Sequence, residues 1–159
     1  MSQDERSAPP SGTGRIVVGV DGSPSAEQAL RWAAGQARLT GQQVDAVITW
    51  HVPDGSGLDP ALVDIDWAGD SAELLDQTVQ KALDGAASPP VGRHVVQGHP
   101  APVLLDAAAD ADLLVVGSRG HGGFAGLLLG SVSQHVVAHA ACPVVVVHGD
   151  AVPPPPPVR

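Results

Sequence analysis

Between Gly117 and Ser133 the chain reads GSRGHGGFAGLLLGSVS, with glycines at 117, 120, 122, 123, 126 and 130. Glycines at this density let a backbone take positive φ and approach a ligand without interference from Cβ. The segment closes on Gly130-Ser131, where a helix can begin. The unpaired amides and dipole of a helix start attract an anion. Ser131 and Ser133 add hydroxyls, and Arg119 adds the one permanent positive charge nearby. Such a set makes a phosphate cradle built mainly from backbone amides. The competing reading is a loop whose glycines serve only turns and packing.

Two other phosphate motifs do not fit. A P-loop needs Gly-Lys-Ser/Thr at the helix start, whereas Leu129 and Gly130 precede Ser131 here. Gly120-His-Gly122-Gly-Phe-Ala125 matches the dinucleotide fingerprint by letter. It follows the wrong strand, however, and no acidic residue lies about twenty positions on to hold a ribose.

The elements around this loop alternate strand and helix. Arg15–Val20 is a short apolar β-branched run ending in Asp-Gly-Ser-Pro. Ser23 suits a helix N-cap and Pro24 its first position. Ala26, Leu30, Ala33, Ala34 and Ala37 then recur at helical spacing until Gly41. Val44–Val52 reads as a strand, followed by an irregular stretch to about Gly69. Ser71–Leu83 reads as a helix, Arg93–Gln97 as a strand, Pro102–Ala109 as a short helix and Leu113–Gly117 as a strand. After the glycine loop come a helix over Ser131–Ala140 and a last strand over Pro143–His148. Strands this continuously apolar indicate a parallel sheet covered on both faces. The expected fold is therefore α/β: a doubly wound, five-stranded parallel sheet with helices on both faces. Ligands on such folds sit beyond the carboxyl ends of strands, where the strand order reverses. One domain is expected over 15–149, flanked by an N-terminal tail (1–14) and a proline-rich tail (150–159) with Pro153–Pro157 extended.

Composition narrows the partners. A net charge of −9 with only eight Lys and Arg excludes a duplex nucleic-acid binder and disfavours an anionic membrane surface. No apolar run reaches about eighteen residues, and the polar N-terminus resembles neither a signal peptide nor a span. Cys142 is the only cysteine, which suits a reducing cytosol. His135 and His139 stand four apart at a metal-capable spacing, but without a clear third ligand they read as surface histidines. His121 reads as solvated, Cys142 as a small packed residue, and the acidic residues of 54–70 as a solvated loop. No metal site and no catalytic triad is assigned.

The blocks VGVDGSP (18–24), ADLLVVGSRG (111–120), GSVS (130–133) and CPVVVV (142–147) occur in order, with Gly117-x2-Gly120-x9-Gly130-Ser131 within them. Together they resemble the ATP-binding universal stress proteins over about 15–148. That resemblance implies a Rossmann-like fold of the adenine nucleotide alpha hydrolase kind, a cytoplasmic location and a regulatory role in bacterial stress or dormancy. It implies ATP or another adenine nucleotide as ligand, with Mg²⁺ recruited by the phosphates or by Asp21. Gly19 and Asp21 would meet the ribose, and the backbone around Ile48 the adenine edge. Gly117, Arg119, Gly120, Gly123, Gly130, Ser131, Val132 and Ser133 would surround the phosphates. No general base or paired carboxylates stand out for in-line attack, so the expectation is a binding module with at most weak ATPase activity. The alternative is a slow ATP hydrolase or a nucleotidyl- or phosphoryl-transfer enzyme on the same fold. The apolar run Val144–Val147, expected at a sheet edge, and the resemblance both point to a homodimer paired through that strand.

Overall fold

The computed structural model describes residues 14–53, 64–84, 89–120 and 129–149. The expected C-terminal tail, the expected N-terminal tail apart from Gly14, and the glycine loop from 121 to 128 lie outside these residues. Among the described residues nine elements follow in chain order: β1 (Arg15–Val20), α1 (Pro24–Thr40), β2 (Gln43–Trp50), α2 (Trp67–Leu83), β3 (Val91–Gln97), α3 (Pro100–Ala107), β4 (Leu113–Gly117), α4 (Ser131–His139) and β5 (Val144–Val147). The strands form one sheet in the order β3-β2-β1-β4-β5. Every neighbouring pair is parallel. The doubly wound architecture expected from the sequence is the one observed.

Side chains alternate across the strands, so each central strand feeds two cores. Ile16, Val18 and Val20 of β1 pack with Leu30, Ala33, Ala37, Leu75 and Val79 beneath α1 and α2. Val17 packs instead with Val47, Leu104, Leu114, Val116 and Val136 beneath α3 and α4. Ala29, Ala33 and Ala34 are fully buried. Their small side chains bring α1 close to the sheet. That proximity later matters at the site. Below the sheet, Arg15 on β1 pairs with Asp45 on β2 at 3.2 Å and with Asp110 before β4, and Asp45 also meets His94 on β3 at 3.2 Å.

Element boundaries differ from the sequence reading where capping chemistry intervenes. The second helix starts at Trp67, not Ser71, because the Asp66 carboxylate accepts the Gly69 N–H at 3.0 Å and caps it. The third helix starts at Pro100, not Pro102. Prolines at both positions fit a first turn, whose N–H groups lack partners in any case. β2 stops at Trp50 rather than Val52, since residues 51–53 leave the sheet. β3 gains Val91 and Gly92, which register with Val44 and Asp45.

The first helix ends as the sequence suggests. Gly41 sits at φ 80° in the left-handed region, and its N–H donates to the Ala37 carbonyl at 2.8 Å. A side chain there costs about 1 kcal/mol because Cβ crowds the carbonyl. Gly41→Ala should therefore lower the unfolding free energy by about 1 kcal/mol in a urea titration, with the folded spectrum unchanged.

Candidate functional site

The strand order reverses between β1 and β4, and the carboxyl ends of these strands part there. A cavity of about 410 Å³ opens at that point. This volume lies within the range of small-molecule sites, about 300–1,000 Å³. Its floor comes from Gly19, Val20 and Asp21 after β1 and from Val116 and Gly117 at the end of β4. Arg119, Gly120, Gly130, Ser131, Val132 and Ser133 form one wall, while Val47, Thr49, Pro100 and Leu104 form the other.

Nine of the eleven residues singled out from sequence therefore line one cavity: Gly19, Asp21, Gly117, Arg119, Gly120, Gly130, Ser131, Val132 and Ser133. Gly123 lies outside the described residues. Ile48 is buried with the α1 and α2 core, and its neighbours Val47 and Thr49 carry the β2 wall. The sequence reading missed Val47, Thr49, Leu104 and Pro100. Strand alternation could have found the first two, because residues flanking a core-facing Ile must face the other side. Leu104 carried no chemical signal. It becomes visible only once α3 is docked.

The wall nearest α4 has the donors an anion needs. Gly130 is the N-cap and supplies no side-chain cap, so the first-turn amides keep their donor capacity. The Gly130 N–H itself donates to the Ser118 carbonyl at 2.7 Å, which ties the helix start to the end of β4. Ser131 is exposed, whereas Ser133 is buried. The Ser133 hydroxyl donates to the Gly117 carbonyl. Ser133 thus braces the strand end with its side chain and offers the cavity its backbone.

Asp21 is engaged in two directions. One carboxylate oxygen, Oδ1, accepts the Ser23 N–H at 2.9 Å and forms a turn before α1. The other, Oδ2, lies against Gly120, where an added Cβ would come within 2.5 Å of it. The turn-forming role and a position on the cavity are therefore compatible. Among the described lining residues Asp21 is the only carboxylate.

The segment leaving β4 is held from behind by α1. The Ser25 hydroxyl donates to the Arg119 carbonyl and accepts the Arg119 N–H at 3.4 Å. Ser23 Oγ also donates to that carbonyl at 3.4 Å, and it accepts the Ala26 N–H at 3.3 Å as helix cap. Gly117 presses on the same spot. A Cβ there would sit 2.7 Å from the Ser25 carbonyl carbon. The Gly117 Cβ position thus faces α1 and not the cavity, so this glycine is required by packing of helix on strand.

The remaining candidates fall away from this site. His135 and His139 stack with ring centroids 4.5 Å apart on the exposed face of α4. The described residues contain no cluster of three or more metal-ligating side chains. Cys142 lies before β5, and burial pushes its thiol up. Since the thiolate is the reactive form, that environment suits a packed residue. No helix among the described residues is long and apolar enough to cross a membrane.

Comparison with known proteins agrees with this geometry. The model described as Universal stress protein family matches residues 12–148. Universal stress protein Rv2623 of Mycobacterium tuberculosis is 39% identical over 147 residues, covering 85% of this chain and 48% of that protein. The chain spans about half the length of the curated relatives it matches. Among solved structures, a universal stress protein in complex with cAMP is 27% identical with TM-score 0.65, covering 86% of this chain and 98% of that one. The universal stress protein from Archaeoglobus fulgidus in complex with dAMP is 28% identical with TM-score 0.56, covering 84% and 97% respectively.

The contact between β4 and α1 yields a direct expectation. Gly117→Ala forces a methyl into main-chain atoms that cannot rotate away, an overpacking cost of about 1–3 kcal/mol. Chemical denaturation should show a loss of that size even without ligand. A variant as stable as the wild type would mean that α1 and β4 are not so tightly apposed.

Proposed function

This chain belongs to the universal stress protein family, and from that premise we propose that it binds an adenine nucleotide, ATP foremost, in the cavity between β1 and β4. The observation that carries the reading is convergence. A strand end, a glycine-spaced turn and an uncapped helix start meet on one cavity of nucleotide size. Relatives in complex with cAMP and dAMP support the adenine-nucleotide class.

In this reading the phosphates lie against the first-turn amides of α4 and the backbone of Gly117, Gly120 and Gly130, with Arg119 and Ser131 adding charge and a hydroxyl. Gly123 would complete the cradle. Asp21 Oδ2 accepts a ribose hydroxyl beside Gly19. The base enters between Val47, Thr49 and Leu104, with its edge read by the backbone around Ile48. Mg²⁺ would be recruited by the phosphates or by Asp21. Preorganised amides suit this role because they carry no charge to be neutralised when the site is empty.

Regulation, not turnover, follows from the same inventory. In-line phosphoryl transfer needs a group that orients or deprotonates the nucleophile. Asp21 already holds the turn and, in this reading, the ribose. We infer a cytosolic regulatory module of the stress response that reports nucleotide occupancy.

Calorimetry with ATP, ADP, AMP and cAMP tests the proposal. Wild type should bind at least one of them with unit stoichiometry. Asp21→Asn keeps the turn-forming oxygen but loses the charge, and should weaken binding about tenfold, or 1.4 kcal/mol. Unchanged affinity in that variant removes the ribose assignment. Steady-state ADP release should stay far below an ordinary enzyme's roughly ten per second. Rapid release abolished by a single side-chain change would make the protein an enzyme.

The edge strand carries a second expectation. β5 occupies a sheet edge, with Val144 and Val146 packing towards one core and Val145 and Val147 towards the other. A short apolar edge without Lys or interior Pro invites pairing. We propose an antiparallel homodimer through Val144–Val147, closed by a twofold axis. Sedimentation equilibrium at micromolar concentration should give a dimer for the wild type and a monomer for Val146→Lys, with circular dichroism verifying that the variant is folded. A wild-type monomer, or a fully dimeric folded variant, would show that this edge is not the interface.

A further inference from the structure

The wall of the cavity that lies across from α4 is apolar but for one group. Val47 and Leu104 are buried members of the core, and Pro100 opens α3 beside them. Thr49, on the same face of β2 as Val47, is the one residue of that wall whose side chain carries a polar atom. The other polar side chains among the described lining residues come from the turns after β1 and β4 and from α4.

Sheet register explains why Thr49 meets the cavity and Val47 the core. β1 pairs with β2 as far as Val20 opposite Ile48, whereas β3 pairs with it as far as Gln97 opposite Trp50. β2 therefore projects past the end of β1, and Thr49 is the first residue of that projection. Val47, two positions earlier, is 3% exposed, while Thr49 is half-buried. The Thr49 hydroxyl has no hydrogen-bond partner among the described residues, nor is it sealed from solvent. It is a donor and acceptor that the fold itself does not use.

Such a hydroxyl sets a condition on whatever covers it. A flat ring laid on Val47 and Leu104 displaces the water that the hydroxyl bonds. If the ring's edge has no hydrogen-bonding group there, the hydroxyl loses its partner and binding weakens. An edge that carries an amino or carbonyl group replaces the water. Sites that bond a ligand's polar group reject analogues lacking it more strongly than apolar pockets reject a missing methylene. A backbone can read a base edge at any residue of a strand. The hydroxyl belongs to this side chain.

We propose that Thr49 is a specificity-determining residue, whose hydroxyl selects nucleotides with a hydrogen-bonding group, such as the exocyclic amino group of adenine, on the buried edge of the base. The inference rests on the nucleotide reading above and adds the side chain that tells one base edge from another.

ATP and purine riboside 5′-triphosphate, which differ only in that amino group, are the probes. Each is titrated by calorimetry into the full chain. Valine matches threonine in shape and suits a strand, and the hydroxyl bonds nothing among the described residues, so Thr49→Val should fold as the wild type does. Circular dichroism and a urea titration verify this. The wild type should prefer ATP. Thr49→Val should narrow that preference about fivefold by weakening ATP alone. Thr49→Ser, which restores a hydroxyl, should retain the preference. An ATP-to-analogue ratio unchanged in Thr49→Val would overturn the proposal. Equal weakening of both ligands would also overturn it, because the side chain would then act through shape. So would a Thr49→Ser variant that behaves as Thr49→Val does. Failure of both triphosphates to bind the wild type would instead remove the nucleotide reading, and this inference with it.

Discussion

The cavity end of this molecule depends on how closely α1 approaches the end of β4. Two glycines, Gly117 and Gly149, leave no side chain between the sheet and Ser25. That contact lets one serine hydroxyl hold both backbone groups of Arg119. Fixing a residue's backbone in this way costs about 1–2 kcal/mol of conformational entropy. The cost is met once, during folding. The chain that leaves β4 is therefore directed before any ligand arrives. The buried alanines of α1 are the distant cause, because a bulkier helix face would hold the helix off the sheet and break the contact.

Much of this arrangement was legible in the sequence, for identifiable reasons. Continuous β-branched runs announce parallel strands, and Ser23-Pro24 together with Gly41 bracket α1 by capping chemistry alone. The glycine spacing from 117 to 130 marks the loop even without coordinates. Other features were not legible, because they arise between elements distant in sequence. Gly117 looked like a place for a ligand to approach the backbone. Its Cβ position instead faces Ser25, ninety-two residues earlier in the chain. Ser133 looked like a hydroxyl donor for the ligand, yet its hydroxyl is bonded to Gly117. Asp66 was read as part of a solvated acidic stretch, whereas its carboxylate caps α2. In each case the residue type signalled hydrogen bonding, and only the fold determined the partner.

On the proposed reading, electrostatics explain how an acidic protein would host an anion without a cluster of lysines. Charged donors would pair with the surplus carboxylates or repel one another when the site is empty. Amides at a helix start do neither, since their partial charges are fixed by the backbone and balanced within the helix. Gly130 at the N-cap preserves that capacity, because a serine or aspartate there would satisfy the first-turn amides itself. Glycine at this position costs the helix only about a few tenths of a kcal/mol relative to a capping side chain, and it leaves the first-turn donors available. The capped starts of α1 and α2 make the contrast within the same chain.

The turn after β4 and the sheet edge are also joined through a backbone hydrogen bond. The Ser118 N–H donates to the Val147 carbonyl, so the residue that follows β4 is registered by the last residue of β5. Two residues further, Gly149 rests on Ser25. A displacement of β5 along its axis would therefore be felt at Ser118 and at α1 together, because close-packed backbone atoms leave no slack to absorb it. The carboxyl end of β5 and the chain that leaves β4 are thus held to each other by backbone contacts alone, with no side chain between them to adjust.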